Sequence, residues 1–243
     1  MTLVDVEIGL REQRGVLDLQ GIVESAAKFL EDAPAREVIR WAAATFGDRL
    51  CLTSSMSDAL LIDLVSRVKP GVDVLFIDTG YHFAETIGTR DAVQSVYDVN
   101  VINVTPERSV AEQDALYGKD LFARDPNECC RMRKVEPLSA ALRGYSAWVT
   151  GIRRVEAPTR ANAPFISWDK AFGLVKINPL AAWTDEDMQA YIEANNVLVN
   201  PLVFDGYPSI GCAPCTTKPV DGSDPRSGRW AGTGKIECGL HVS

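Results

Sequence analysis

The chain has 243 residues, enough for one large α/β domain with a full core or for two small domains. With 46% hydrophobic and 24% charged residues it has an ordinary globular composition, and no stretch approaches the ~18 uncharged apolar residues of a membrane-spanning helix. Twenty-five basic against 33 acidic residues give a net charge of −8, which argues against a general nucleic-acid coat protein but leaves room for a small anion met by locally clustered cations. Residues 1–7 have neither a basic region nor an apolar core of a leader, so a cytoplasmic location is expected, with no membrane or nucleic-acid partner. In such a reducing compartment the six cysteines point to metal, cluster or redox chemistry rather than to structural disulfides.

Residues 1–46 read as a helical segment. Ile22, Val23, Ala26, Ala27, Phe29 and Leu30 recur at helical spacing, and Pro34 opens a second helix carrying Val38, Ile39, Trp41 and Ala42. From Leu50 the pattern changes to strand, helix, strand, helix, strand: Leu50–Thr53, Ala59–Val65, Val72–Asp78, Phe83–Tyr97 and Val99–Val104. That alternation implies right-handed crossovers and a parallel sheet whose ligands bind beyond the carboxyl ends of the strands. Two loops fall there. Thr53 to Ser57 offers hydroxyls and N–H groups at a helix start, either as an anion site or as plain N-capping by Ser57. The other is Asp78 to His82. No Walker P-loop is present.

Residues 106–128 read as a polar connection with one short helix around Val110–Tyr117. Ala147–Thr150 reads as a fourth strand, with Gly151, Arg153, Arg154 and Arg160 at or beyond its end, where arginines suit phosphate or sulfate. Phe165–Trp168 and Leu174–Ile177 suggest an edge hairpin. Thr184 starts a helix with a capping box and an acidic first turn, so those carboxylates read as structural.

The cysteines carry the sharpest signal. Cys129 and Cys130 are adjacent, with Cα atoms ~3.8 Å apart. The usual disulfide range is about 4.4–6.8 Å, so both thiols are available to another partner. Arg131, Arg133 and Lys134 follow directly and are expected to favour thiolates. Cys212 and Cys215 form a Cys-x-x-Cys turn with no preceding βαβ start of thioredoxin type. The two pairs suggest four thiolates that meet in the fold, around zinc or an iron–sulfur cluster. An adjacent pair is a poor zinc knuckle, whereas a cubane offers separate iron corners, so geometry favours the cluster. Cys51 alternates within a buried strand and reads as core. Cys238 is left as a reactive thiol on a glycine-rich, mobile carboxyl-terminal arm.

Together, Cys129-Cys130, Cys212-Ala213-Pro214-Cys215 and Glu237-Cys238-Gly239-Leu240-His241 resemble the cluster-containing adenylyl-sulfate reductases of sulfate assimilation, in particular their actinobacterial form. Leu75–Phe83 and Thr150–Arg154 extend the resemblance, which covers about residues 46–243. It implies an α/β fold of the adenine-nucleotide alpha hydrolase (PP-loop) type, with helices on both faces of a parallel sheet and a mobile tail. The implied division is a helical segment (1–46), a nucleotide-binding reductase domain (47–220) and an arm (221–243). The resemblance further implies a 4Fe-4S cluster on Cys129, Cys130, Cys212 and Cys215. Cys238 would attack the sulfur of adenosine 5'-phosphosulfate, AMP would leave, and thioredoxin would release sulfite from the S-sulfocysteine. Carried over residue by residue, Ser54 and Ser55 replace the nucleotide loop and Gly151 lies against adenosine. Lys134 stands between cluster and substrate, Arg160 joins the phosphosulfate contacts, and Arg226 and Arg229 belong to the closing tail. Asp78, Thr79 and Gly80 form the opposite wall. His241 either tunes Cys238 or docks the tail.

One departure matters. Related ATP pyrophosphatases carry Ser-Gly-Gly-x-Asp-Ser in the first loop, but here it reads Ser54-Ser55-Met56-Ser57-Asp58-Ala59. Lost glycines argue against ATP and suit a ligand with one phosphate and one sulfate. The alternatives are reduction of the 3'-phosphorylated substrate, an ATP-dependent sulfur transferase acting on RNA with Cys238 as persulfide carrier, and a non-enzymatic zinc module.

Overall fold

The computed structural model describes residues 18–220, 224–233, 235 and 237–240. Two helices come first, α1 (Leu19–Leu30) and α2 (Ala35–Phe46). Asp18 caps α1 by accepting from the Gly21 N–H at 3.0 Å, and Pro34 stands at the N-cap of α2. The part of the expected helical segment that precedes Asp18 lies outside the described residues.

Six strands follow: β1 (Leu50–Thr53), β2 (Val72–Ile77), β3 (Val99–Val104), β4 (Ala147–Val149), β5 (Ile166–Asp169) and β6 (Leu174–Ile177). They form one sheet in the order β3-β2-β1-β4-β6-β5. Every pairing is parallel except β5 with β6. The register sets Cys51 beside Trp148 and Leu52 beside Val74. The chain builds outward from β1 in one direction and then restarts at β4 on the other side. The gap between the loops after β1 and β4 is therefore the switch point at which such sheets bind ligands.

Alternation along each strand divides the core. Leu50, Leu52, Val74, Phe76, Ala147, Val149, Val175 and Ile177 point to the face covered by α1, α2, α3 (Leu60–Ser66) and α9 (Asp185–Asn195). Cys51, Leu75, Trp148 and Leu174 point to the other face, against Leu138 and Leu142 of α8 (Glu136–Leu142) and against Leu240 of the tail. Helices thus cover both faces. Cys51 is fully buried, and burial holds its thiol well above the usual range, as suits an inert core residue. Among the described residues no helix is long and apolar enough to cross a membrane.

The connection after β3 holds more structure than its polarity suggests. α4 (Ala84–Val96) links β2 to β3; beyond β3 come α5 (Val110–Tyr117), α6 (Leu121–Arg124) and α7 (Pro126–Cys130). A π-helical turn, Arg131–Val135, joins α7 to α8. Asp125 caps α7 by accepting from the Asn127 and Glu128 N–H groups at 3.1 and 3.0 Å, with Pro126 at the first turn. That Asp-Pro start is a sequence signal for the helix carrying both adjacent cysteines. A last short helix, α10 (Pro201–Phe204), precedes the Cys212–Cys215 turn.

Candidate active site

A cavity of about 320 Å³ lies at the switch point. Its floor is the loop after β1. Met56 takes a left-handed backbone (φ 59°) with its side chain fully buried, which turns the loop without glycine. Ser54 Oγ accepts from the Met56 N–H at 3.1 Å, and the Ser55 and Ser57 hydroxyls lie 3.2 Å apart. Asp58 accepts from the Leu60 N–H at 2.9 Å in a local turn, and Ser57 does not cap the helix, whose N-cap Ala59 has no side-chain cap bond. Ser54, Ser55 and Ser57 all line the cavity.

Of the expected opposite wall, Thr79 lines the cavity whereas Asp78 and Gly80 do not. Asp78 accepts from the Gly80 N–H at 3.0 Å and lies 3.9 Å from Arg90. Gly80 has φ +75°, and a Cβ there would meet Arg133 Nη2 and Val110 Cγ2 at 3.1 Å, so it serves a packed turn. Gly151 does line the cavity, and a Cβ there would meet only Leu61 Cδ2 at 4.0 Å. Protein packing does not demand that glycine; its missing side chain leaves space for a ligand.

The three cations in the four residues after the cysteines diverge, because the helical turn that carries them points its side chains in different directions. Arg131 pairs outward with Glu128 and Glu136. Arg133 is buried and donates to the Thr79 carbonyl and to Gln113 Oε1, the latter at 3.0 Å. Only Lys134 reaches the cavity. Burial alone would lower its pKa, but Cys212, Cys238 and Cys130 outweigh that and hold the ammonium charged. The expected thiolate preference also yields to burial at Cys129, whose thiol is pushed up to about 11. Arg153 lines the cavity but is engaged by Asp185 at 2.7 Å, while Arg154 donates to the Ala163 carbonyl and lies over Phe165.

Arg160, Arg226 and Arg229 converge on the same cavity from two segments distant in sequence. Arg229 donates to Ser209 Oγ and the Ile210 carbonyl at 3.2 and 3.1 Å and stacks 4.6 Å from the Trp230 ring. Its Nε is buried with no hydrogen-bond partner among the described residues, an open donor beside the cavity. Burial and Arg226 hold its pKa below the usual value. Glu237, which carries no role in the sequence reading, pairs with Arg160 and Arg226. An acid directly before Cys238 is the only sequence signal that could have marked it.

Cys238 is docked rather than free: it is 7% exposed, in a small cluster with Cys130 and Trp230. Lys235 Nζ secures the arm by donating to Asn127 Oδ1 at 2.7 Å. Its nearness to Cys130, and then Lys134 and the Leu240 N–H, hold the Cys238 pKa below the usual thiol value against burial. His241 lies outside the described residues, as do Gly234 and Ile236.

A second, smaller cavity is lined by Cys129, Cys130, Cys212 and Cys215, and it shares Lys134 and Trp230 with the first. Thr79 Oγ1 lies 3.3 Å from Cys212 Sγ. Four soft donors around one enclosed, largely apolar space fit a thiolate-bound cluster. Among the described residues no group of three or more His, Cys, Asp or Glu side chains is arranged to hold a single metal ion.

Comparison with known proteins gives a consistent picture. Residues 49–218 match the family model described as the phosphoadenosine phosphosulfate reductase domain. The chain is 71% identical to adenosine 5'-phosphosulfate reductase of Mycolicibacterium smegmatis, covering 93% of this chain and 96% of that protein. It is 61% identical to the enzyme of the same name from Mycobacterium tuberculosis, covering 93% and 95%. Among solved structures, phosphoadenylyl-sulfate reductase from Candida auris in a phosphate complex superposes with a TM-score of 0.71 at 31% identity, over 84% of this chain and 100% of that one. FMN adenylyltransferase from Candida glabrata shares the fold alone, with a TM-score of 0.55 at 13% identity over 85% of this chain and 67% of that one. With its parallel-dominated sheet, switch-point cavity and cysteine pairs, the chain belongs to the phosphoadenosine phosphosulfate reductase domain family.

Proposed function

We propose that the protein is a thioredoxin-dependent adenylyl-sulfate reductase of cytoplasmic sulfate assimilation, reducing adenosine 5'-phosphosulfate to sulfite and AMP. The observation that carries this reading is the meeting of Cys238 with Lys134, Arg160, Arg226 and Arg229 in one cavity at the nucleotide end of the sheet. The identity to proteins named adenosine 5'-phosphosulfate reductase favours the unphosphorylated substrate over its 3'-phosphate.

The chemistry needs little activation of the leaving group but strong control of charge. A thiolate must approach a sulfonyl group beside a phosphate, all of them anionic. Lys134 and the three arginines offset that repulsion. Ser54 and Ser55 receive the nucleotide, Thr79 lies on the opposite wall, and Gly151 leaves space for adenosine. Cys238 Sγ then attacks the sulfur, the sulfur–oxygen bond to phosphate breaks, and AMP departs with the electron pair. The product on the enzyme is S-sulfocysteine. A dithiol, thioredoxin, supplies the two electrons: sulfite leaves, the dithiol becomes a disulfide, and the Cys238 thiol is restored. The arm of residues 221–243 must therefore close for attack and open for the protein reductant.

Cys129, Cys130, Cys212 and Cys215 would hold a 4Fe-4S cluster. When bound, it supplies a fixed charge array beside Lys134 that tunes the field at the sulfate. The test is anaerobic purification with iron analysis, and sulfite release from adenosine 5'-phosphosulfate and its 3'-phosphate measured side by side. A brown protein with roughly four irons per chain that prefers the first substrate is expected. A colourless protein with one zinc per chain would sink the reading. Cys238→Ser should abolish sulfite release and keep the colour; loss of colour would make Cys238 a ligand rather than the nucleophile.

A further inference from the structure

The residue before the nucleophile occupies the anion subsite itself. Glu237 is a cavity-lining carboxylate whose side chain is 8% exposed. Its Oε2 accepts from Arg160 Nε at 2.9 Å, and its Oε1 accepts from Arg160 Nη2 at 3.0 Å and Arg226 Nη2 at 3.2 Å. A bidentate fork with a second guanidinium on one oxygen is the arrangement arginines offer to a phosphate or sulfate. Glu237 Oε1 also accepts from the Cys238 N–H at 2.9 Å, so the carboxylate is tied to the nucleophile's own backbone.

We propose that Glu237 is an internal stand-in for the substrate's anionic group: it holds the Arg160–Arg226 subsite in the resting enzyme and is displaced when the phosphosulfate arrives. The proposal rests on the reading of Arg160 and Arg226 as substrate contacts. Two anions cannot share one fork, so subsite occupancy and the resting position of the arm exclude each other. Glu156, which accepts from Arg160 Nη1 at 2.6 Å, stays in place and keeps Arg160 aimed after the exchange. The burial of Arg160, which would lower its pKa, is offset by Glu237 and Glu156, so the guanidinium stays charged before the substrate enters. Glu237 is thus a positioning residue: it parks Cys238 under the arginines and releases it as substrate binds.

The test uses holoenzyme carrying Cys238→Ser, which binds without turnover, with and without Glu237→Gln. Cluster colour verifies that each variant is folded. Direct binding of adenosine 5'-phosphosulfate is expected to tighten by about tenfold in Glu237→Gln, the effect of losing one charge-assisted competitor. Adenosine, which has no anionic group, should bind both alike. In the Cys238-containing protein without ligand, Glu237→Gln should speed iodoacetamide alkylation of Cys238 several-fold, as read by peptide mapping; Glu237→Asp, charged but shorter, should fall between. Equal or weaker phosphosulfate binding in Glu237→Gln, beside normal binding by the parent, would overturn the stand-in and leave the functional reading intact. Failure of the parent to bind adenosine 5'-phosphosulfate would overturn the functional reading and the stand-in with it. An unchanged alkylation rate would overturn the latch on its own.

Discussion

The two walls of the cavity are clamped by one buried carboxylate, and its removal gives a quantitative test of the fold. Asp63 of α3 is 5% exposed. It accepts from Arg67 Nε at 2.8 Å and Nη2 at 3.1 Å, and from the Tyr191 hydroxyl of α9 at 2.6 Å. α3 follows the Ser54–Asp58 loop, and α9 carries Met188 to the opposite side of the cavity. In Asp63→Ala, the Arg67 side chain is 52% exposed and re-solvates, so that pair is worth at most about 1 kcal/mol. Tyr191 is half-buried, packs 5.6 Å from the Trp183 ring, and loses its acceptor, which costs about 1–3 kcal/mol. The sum is about 1–4 kcal/mol, or a fall in Tm of roughly 2–16 °C for a chain of this size. Thermal melts followed by circular dichroism read this directly. Tyr191→Phe should cost less, and the double variant should be less destabilised than the two single losses combined, by about 1 kcal/mol or more. A Tm within about 1 °C of the parent for Asp63→Ala, or strict additivity in the cycle, would refute the clamp.

Three further outcomes follow from other parts of the site. A Cβ on Gly211 would lie 2.2 Å from Arg229 Nη2, so Gly211→Ala should push that guanidinium off Ser209 and Ile210, lower kcat/KM by roughly tenfold or more, and leave iron content unchanged. Burial lowers the His82 pKa below 6.5. The unfolded chain therefore binds the proton first, so this residue's stabilisation is complete above about pH 6.5 and is lost as pH falls toward the folded value. With only two histidines in the chain, His82→Gln should flatten the dependence of Tm on pH between about 7.5 and 5.5, and an unchanged slope would assign it elsewhere. Cys129→Ser should lose most bound iron, as read by metal analysis, whereas Cys51→Ala should retain it, because Cys51 is enclosed by Trp148 and Leu138 and lines neither cavity.

Much of this protein is legible along the chain because the signals involved are local. The apolar runs Leu50–Thr53, Val72–Ile77 and Val99–Val104 announce strands, Thr184 with Asp187 announces a helix start, and Cys129-Cys130 with Cys212–Cys215 announces a soft-ligand site. Period and spacing act over a few residues and need no knowledge of the remaining fold. The helices around the cysteine pair, α6 and α7, show no apolar periodicity because they are polar and short; only the Asp125-Pro126 start marks α7, and tertiary packing stabilises both where propensity does not. The insertion of β6 between β4 and the edge strand β5 is likewise invisible, since the alternation of a strand does not name its neighbour.

The site divides the same way. That four cysteines form two pairs and a fifth stands near the carboxyl end is written in the sequence. Which of three neighbouring cations serves the cavity is not: Arg131 turns to surface acids, Arg133 turns inward to Thr79 and Gln113, and of the three only Lys134 lines both cavities. Nor does the sequence place Glu237 in the fork of Arg160, 77 residues away. Composition and local spacing determine which chemistry the chain carries. Only the packed structure, where burial and long-range charge decide which way each side chain turns, determines which of those groups meet.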